Sequence, residues 1–224
     1  MISLIIAESA IERVPRDIQN HPSIRRHAQR AERNAGDLLL DRSYHHDAMK
    51  GLRNAEKRGR PDLVHFALLS ALATPLYSRD ELEVYLHTTD NLTITIGKRV
   101  RLPKTYARFE TLIVQLQRTK LIETNGQVLL SLREMSFPEL ANTLGSDITV
   151  GLSSSGTMNT IRSVAGKLSG IQNATLVIGG FPNGDFSQEV LESLTSLYSI
   201  GSMQLEAHLV IARLIYELEM VRNR

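Results

Sequence analysis

The sequence contains no cysteine, which excludes disulfide bonds and metal sites built from thiolates. It also contains no apolar run of about eighteen residues, the length that a membrane-spanning helix needs. The apolar residues 2–6 lack the basic region and cleavage site of a signal peptide. We therefore expect a cytoplasmic protein with no membrane contact, in which residues 2–6 form a buried first strand.

Histidine is present, but its spacing does not indicate a metal site. His45 and His46 are adjacent, so in the helix predicted from Tyr44 towards Lys57 they point to different faces. No other set of side chains has the spacing of metal ligands. We predict no bound metal.

Charge is unevenly distributed along the chain. Residues 1–120 carry 20 Lys and Arg against 14 Asp and Glu, whereas residues 121–224 carry 6 against 10. These counts give +6 and −4, a pattern that fits a polyanion-binding face beside a small-molecule site. Ordinary fluctuation of charge along a chain is the alternative. Arg25, Arg26, Arg30 and Arg33 recur at helical spacing after Pro22, so they predict either a solvated face or an RNA contact.

The pattern of the remaining segments predicts an α/β fold. Helices are predicted from Pro61 onwards and at residues 157–168. Short strands are predicted at residues 38–40, 82–88, 92–96, 128–132 and 148–152. Ser136 and Glu139 have the spacing of a capping box. Residues 153–156 are small and predict a loop, either a plain linker or one edge of a pocket.

Residues 174–213 hold the most suggestive pattern in the chain. The apolar residues 176–178 lead into Gly179-Gly180 and a Pro-Asn-Gly turn, then an amphipathic helix, a small-residue turn at 199–202 and a long apolar helix at 205–218. Glycine is needed where the backbone takes a positive φ or lets a ligand approach closely. The pattern fits a main-chain-walled pocket at the carboxyl ends of strands. Ordinary turns are the alternative, and no Gly-x-Gly-x-x-Gly fingerprint is present.

Residues 60–65, Arg-Pro-Asp-Leu-Val-His, start a predicted helix more than a hundred residues earlier. By itself, Asp62 is explained as a first-turn carboxylate that the helix dipole favours, with Arg60 as its neighbour.

Taken together, five segments resemble one family: the SPOUT class of S-adenosylmethionine-dependent RNA methyltransferases, and within it the pseudouridine N1-methyltransferases of small-subunit ribosome biogenesis. They are Gly-Gly-Phe-x-x-Gly at 179–184, the Ser-Ile segment at 199–207, Arg-Pro-Asp-Leu-Val-His at 60–65, Val-Tyr-Leu-His-Thr at 84–88 and Arg-Leu-Pro-Lys-x-Tyr-x-Arg-Phe at 101–109. The resemblance covers nearly the whole chain and is typical of an archaeal member.

This resemblance implies a fold, an assembly and a partner. The expected fold is a SPOUT-like parallel sheet with a C-terminal trefoil knot and an inserted β-rich extension. Residues 1–224 are expected to form one domain, with the family-specific insertion at about 77–104, and the protein is expected to be a homodimer that acts on small-subunit rRNA.

The resemblance also implies site residues. The acidic position that many relatives carry near the end of this helix is replaced here by Ala73-Thr74-Pro75, so its base role cannot be carried over. Asp62 is the expected proton acceptor instead, with Arg60 as its partner. The alternative is that Asp62 holds Arg60 or the local fold in place. The expected S-adenosylmethionine contacts are Leu152, Gly179, Gly180, Gly184, Ile200, Gly201, Ser202, Met203, Gln204 and Leu205. The expected RNA contacts are Arg53, Arg60, Arg101, Lys104 and Arg108. Phe109, followed by apolar residues at helical spacing, is expected to pack in the core instead of stacking on a base.

Three other functions fit parts of the sequence. An RNA-binding assembly factor without catalysis would use the same basic residues, and loss of cofactor affinity would distinguish it. A SPOUT enzyme of another specificity, such as ribose 2′-O methylation, disagrees with the Arg-Pro-Asp motif. A generic α/β small-molecule enzyme would bind RNA poorly even at low salt.

Overall fold

The first strand of the protein lies inside its main sheet. Strand β1 spans Ile2–Ser9, and all eight of its residues are buried. Ile2, Leu4 and Ile6 face one side of the sheet and Ile5 and Ala7 face the other, because side chains alternate along a strand. Both faces are therefore covered, as expected for an apolar strand in a parallel arrangement.

The computed structural model describes residues 1–222, and in them one sheet contains eight strands in the order β4-β5-β3-β2-β1-β7-β6-β8. The strands β2, β1, β7, β6 and β8 are parallel to one another. Beyond β2, strands β3, β5 and β4 extend the sheet with antiparallel pairs. The remaining strand bounds are β2 Leu82–Thr88, β3 Leu92–Ile96, β4 Leu121–Thr124, β5 Gln127–Glu134, β6 Ile148–Met158, β7 Ala174–Gly179 and β8 Ser196–Ser199. The mixed α/β class is as predicted.

Helices cover both faces of the sheet. Their bounds are α1 Pro22–Arg30, α2 Arg42–Met49, α3 Pro61–Leu72, α4 Pro75–Ser78, α5 Tyr106–Thr119, α6 Phe137–Leu144, α7 Ile161–Ser169, α8 Gln188–Glu192 and α9 Ala207–Arg222, with 3₁₀ turns at Arg16–Ile18, Ala35–Asp37 and Ala55–Lys57. Helices α3, α5, α7 and α9 pack on one face, α6 and α8 on the other. Helices α1 and α2 enclose a small apolar cluster of their own.

Several local predictions are confirmed. Pro22 and Pro61 each occupy the first turn of a helix, where a missing N–H has no cost. Ser136 and Glu139 form the predicted capping box at the start of α6. Phe109 is fully buried and stacks on His65 with ring centroids 4.3 Å apart, so it is a core residue.

Other local predictions are wrong. Residues 38–40 are buried but form only one isolated bridge, between Leu39 and Arg13, so they are not a strand. Helix α2 ends at Met49 because a turn at residues 50–54 interrupts it before Lys57. Residues 153–156 continue strand β6 and are not a loop, since β8 pairs with this strand on both sides of a register shift. Strands β4 and β8 have no counterpart in the sequence prediction.

Among the helices of residues 1–222, none combines the length and apolar character that crossing a membrane requires.

Candidate active site

A cavity of about 330 Å³ opens where the main chain leaves the parallel part of the sheet. Its walls come from three segments, together with Leu63 and Val210 from two helices. The segments are residues 152–154 of β6, residues 178–184 with Phe186 from the end of β7 onwards, and residues 199–201 with 203–207 from the end of β8 onwards. Nine of the ten predicted cofactor contacts line it, namely Leu152, Gly179, Gly180, Gly184, Ile200, Gly201, Met203, Gln204 and Leu205. The tenth, Ser202, lies in the same turn but does not line the cavity. The structure thus brings together three segments that lie between residues 152 and 207, and one residue each from helices α3 and α9.

Glycine is required at two positions of the wall. A Cβ on Gly180 would lie 2.6 Å from the Ser9 hydroxyl and 2.8 Å from its Cα, so no side chain fits between the turn and the end of β1. The Gly180 N–H also donates to the Ala7 carbonyl at 2.7 Å. Gly184 has φ +96°, a conformation that L side chains rarely adopt. At Gly180 and Gly184 the turn can therefore present only main chain to the cavity.

Lys57 and Glu8 hold this turn from outside the cavity. Lys57 Nζ donates to Glu8 Oε2 at 3.1 Å and to the main-chain carbonyl of Asp185, and it lies 4.6 Å from the centre of the Phe181 ring. Glu8 Oε1 accepts from the main-chain N–H of Ser187 at 3.0 Å. Glu8 is buried and its φ of +50° is left-handed, so the end of β1 is bent to place this carboxylate beside the turn.

Asp185 joins the turn to strand β6. Its Oδ1 accepts from the Ser153 hydroxyl at 2.8 Å and from the Ser155 hydroxyl at 3.0 Å. Because Ser153 lines the cavity, this bridge fixes the separation of two of its walls.

Arg60 and Asp62 form a forked ion pair at the start of α3. Arg60 Nε donates to Asp62 Oδ1 and Nη2 donates to Oδ2, each at 2.8 Å. This hydrogen bonding raises the pKa of Arg60, so the guanidinium stays charged. Both side chains are about one third exposed, and Leu63, the next residue, lines the cavity. Glu206, another lining residue, also raises the pKa of Arg60 through its charge. Neither Arg60 nor Asp62 lines the cavity, but the pair directly precedes a lining residue in sequence and is accessible from solvent.

The predicted RNA contacts are all at the surface. Arg53, Arg101, Lys104 and Arg108 are exposed, and Arg60 is partly exposed. His65 bonds the Pro103 carbonyl at 2.7 Å, which joins the segment of Arg101 and Lys104 to helix α3. Two of these basic residues thus lie on a segment attached to the helix that carries Arg60 and Asp62.

Tyr106, an aromatic within this basic segment, is not free to stack on a base. Its hydroxyl donates to Asp41 at 2.7 Å, and burial is the main reason that its pKa is raised.

Within residues 1–222, no cluster of three or more His, Asp or Glu side chains is arranged to hold a metal ion.

Comparison with known proteins decides the family. Residues 4–219 match the family described as EMG1/NEP1 methyltransferase. The chain belongs to the EMG1/NEP1 methyltransferase family. It is 39% identical over 213 residues to the ribosomal RNA small subunit methyltransferase Nep1 of Pyrobaculum islandicum, covering 95% of each chain. It is 37% identical over 198 residues to the protein of the same name from Thermococcus sibiricus, covering 88% of this chain and 90% of the other.

The fold also matches a solved member of the EMG1/NEP1 family. The crystal structure of Archaeoglobus fulgidus Nep1 bound to S-adenosylhomocysteine superposes with a TM-score of 0.88 at 31% identity, covering 99% of each chain. The α/β fold and the family expected from the sequence motifs are therefore confirmed.

Sequence reasoning missed several residues around the cavity. Lys57, Glu8 and Asp185 shape the glycine turn, and Leu63 and Glu206 link the cavity to the ion pair. Leu63 directly follows the Arg-Pro-Asp motif, which is a signal that could have found it. Lys57 and Glu8 come from segments far apart from the turn in sequence, and no local pattern marks them.

Proposed function

We propose that this protein transfers a methyl group from S-adenosylmethionine to N1 of a pseudouridine in small-subunit rRNA, during assembly of that subunit. The observation that carries the proposal is the forked Arg60–Asp62 pair, which directly precedes Leu63, a residue that lines the glycine-walled cavity. Membership of the EMG1/NEP1 methyltransferase family and the similarity to a relative bound to S-adenosylhomocysteine support it.

The cavity has the chemistry that a nucleoside cofactor needs. A volume of about 330 Å³ lies within the range of small-molecule pockets. Leu152, Ile178 and Val210 supply apolar walls for an adenine ring, and the main chain of the two turns supplies hydrogen-bonding groups. We infer that S-adenosylmethionine is held by Leu152, Gly179, Gly180, Gly184 and residues 200–205. When bound, it supplies the electrophilic methyl group.

Asp62 and Arg60 are the proposed groups that act on the RNA base. Methylation forms a bond from N1 to the methyl carbon, breaks the bond from that carbon to sulfur and releases the N1 proton. Each Asp62 oxygen accepts one hydrogen bond from Arg60 and keeps lone-pair capacity for a second proton donor. Asp62 would accept the proton and Arg60 would orient the base. The alternative is that Asp62 acts only by holding Arg60 in position.

The exposed basic residues are the proposed RNA-binding surface. Arg53, Arg101, Lys104 and Arg108 would contact phosphates, whose negative charge dominates affinity for nucleic acid, and Arg60 would contact the base. The bond from His65 to the Pro103 carbonyl supports this assignment, because it joins the 101–104 segment to the helix of the ion pair.

A homodimer is the proposed assembly. Helix α9 buries Val210, Ile211, Leu214, Ile215 and Leu218 in the core. Leu209, Tyr216 and Met220 of the same helix are exposed, as is Phe66 of α3, which packs against α9. Exposed apolar side chains gathered on packed helices favour burial against a second copy.

Three finer features remain proposals from the family resemblance. They are the C-terminal trefoil knot, a single domain over 1–224 with an insertion at about 77–104, and a cytoplasmic location.

Calorimetric titration with S-adenosylmethionine and with S-adenosylhomocysteine tests the cofactor half of the proposal. We expect one molecule to bind per subunit. A folded protein that binds RNA but neither nucleoside would support a non-catalytic assembly factor instead. Nucleoside analysis of the methylated RNA distinguishes N1 of pseudouridine from a ribose 2′-O product.

A further inference from the structure

An exposed aromatic pair lies on the small helical lobe formed by α1 and α2. Tyr44, in the first turn of α2, stacks on His27 of α1, with ring centroids 4.2 Å apart and planes 22° from parallel. Tyr44 is 53% exposed, although His27 covers one side of its ring. The rest of the ring is therefore open to solvent, where another flat group can lie against it.

Buried hydrogen bonds hold this pair in place. The main-chain N–H of Asp41 donates to His45 Nδ1 at 3.0 Å, so the neutral His45 carries its proton on Nε2. That Nε2 donates to His27 Nδ1 at 2.9 Å. His45 is fully buried, and Asp41 accepts from the Tyr106 hydroxyl of α5. The ring of His27 is thus fixed by the interior, which makes Tyr44 and His27 a rigid platform.

The surroundings of the platform are basic. Residues 13–59 carry 11 Lys and Arg against 6 Asp and Glu, a net charge of +5. Arg26 and Arg30 are exposed on α1, and the charge of Arg30 contributes to lowering the pKa of His27, behind burial as the main cause. Asp47, one turn beyond Tyr44, is neutralised by Lys50 at 2.7 Å.

The platform is connected to the proposed RNA-binding surface. Arg33, three residues after the end of α1, donates to the Thr111 hydroxyl of α5 at 2.8 Å. Thr111 lies one turn after Arg108, so the basic residues of α1 and those that lead into α5 occupy neighbouring helices. An RNA that contacts Arg108 can continue across the lobe.

We propose that Tyr44, stacked on His27, binds an unpaired base of the substrate RNA outside the methylated nucleotide. The proposal rests on the proposed function, because it takes RNA to be the partner. Proteins bind single-stranded RNA with exposed aromatic rings among basic side chains, because bases stack on the rings while the cations attract the phosphates. Tyr44 is such a ring, and arginines lie near it. Any of the four bases can stack in this way, so the platform extends the RNA-binding surface without selecting a nucleotide sequence.

The absence of tryptophan gives a direct test. In the Tyr44→Trp variant, emission from the single indole should be quenched as a short unpaired RNA oligonucleotide is titrated, because the base stacks on it. Anisotropy of the same RNA with a fluorescent label reports binding independently. RNA that binds by anisotropy but leaves the indole emission unchanged would overturn the proposal.

Affinity and its salt dependence separate stacking from charge. Tyr44→Ala should weaken RNA binding roughly ten-fold with an unchanged slope of log affinity against log salt, whereas Tyr44→Phe should bind like the wild type. Arg30→Gln should reduce the magnitude of that slope by about 1, the change expected for the loss of one phosphate contact. Thermal melting of each variant verifies folding. Equal RNA affinity of Tyr44→Ala and wild type would refute the platform.

The outcomes also separate this proposal from the proposed function. If the wild type binds RNA and methylates it while Tyr44→Ala is unaffected, only the platform is wrong. If Tyr44→Ala weakens RNA binding but the wild type transfers no methyl group, the platform holds and the catalytic proposal fails. If the wild type binds no RNA at low salt, both are wrong.

Discussion

Arg60 and Asp62 are joined by two parallel hydrogen bonds of 2.8 Å, a geometry in which a guanidinium and a carboxylate fix each other's orientation. The pair starts helix α3, and the residue that follows it lines the cavity. A guanidinium and a carboxylate are therefore held together directly before a residue of the cavity wall. Their relation allows two roles for Asp62, proton acceptor or holder of Arg60, and these predict different kinetics.

Asp62→Asn should abolish most methyl transfer at neutral pH while sparing affinity for S-adenosylmethionine. If Asp62 accepts the proton, the residual rate should rise steeply with pH, because ionisation of N1–H in solution replaces the missing base. If Asp62 only holds Arg60, the defect should be independent of pH and similar to that of Arg60→Gln. Rates at several pH values and calorimetry on both variants make the comparison. Full activity of Asp62→Asn would refute both roles.

Lys57→Met should weaken cofactor binding roughly ten-fold, although Lys57 does not line the cavity. The change removes the donor that ties the glycine turn to Glu8 and leaves that carboxylate, only 7% exposed, with one remaining partner. Breaking such a pair from one side costs about 3–5 kcal/mol of stability when the pair is buried. Calorimetry and thermal melting measure the two effects.

A matched control for Lys57 is Lys50→Met. Lys50 is 68% exposed on its side chain and pairs with Asp47 on the surface, where ion pairs contribute about 0–1 kcal/mol. The double variant Glu8→Gln with Lys57→Met should recover part of the stability lost in Lys57→Met. Equal cofactor affinities for the Lys57 and Lys50 variants would show that the turn needs no such support.

Gly180→Ala should destabilise the protein by about 1–3 kcal/mol and weaken cofactor binding, because its Cβ would collide with Ser9. Gly166→Ala is the control, since Gly166 lies inside α7 and a Cβ there would meet nothing within 4 Å. Alanine at that helical position should stabilise the protein by about 0.5–1 kcal/mol. Chemical denaturation measures both changes. A neutral Gly180→Ala would contradict the tight contact of the turn with β1.

Acidification should destabilise the protein through His45. Burial is the main cause that lowers the pKa of His45 from 6.5 to about 4, with the nearby His27 contributing. The unfolded chain therefore binds a proton on this side chain at a higher pH than the folded one. Above pH 6.5 the neutral His45 ring makes its full contribution to the free energy of unfolding. As the pH drops towards 4, the free energy of unfolding falls by up to about 3 kcal/mol. Melting temperatures of wild type and His45→Gln across this range should show a smaller pH slope in the variant, and identical slopes would contradict the assignment.

Local sequence signals predicted the parts of the fold that depend on local chemistry. Pro22, Pro61 and the Ser136 capping box mark helix starts because their effects act within one turn. Strand β8 could not be found in this way. Its four residues come soon after helix α8, and no change in the pattern of apolar and polar residues marks where the strand begins. They become a strand only by pairing with β6, which is far away in sequence.

The candidate active site could likewise be predicted only where the local sequence marks its residues. Gly180 and Gly184 stand out in sequence because the backbone there needs glycine, and the family motifs identified Asp62 and Arg60. Lys57 and Tyr44 were missed, since their importance depends on contacts with distant segments. Lys57 matters because Glu8 and the glycine turn meet it, and Tyr44 because His27 fixes it in an exposed position.

The most direct measurement is methyl transfer from isotopically labelled S-adenosylmethionine to two RNA oligonucleotides that differ only at one position, pseudouridine in one and uridine in the other. Uridine has no N1–H, because its N1 is bonded to the ribose. The account predicts label in the pseudouridine RNA alone, located on the base by nucleoside analysis. Equal labelling of both RNAs, or label on a ribose, would contradict it.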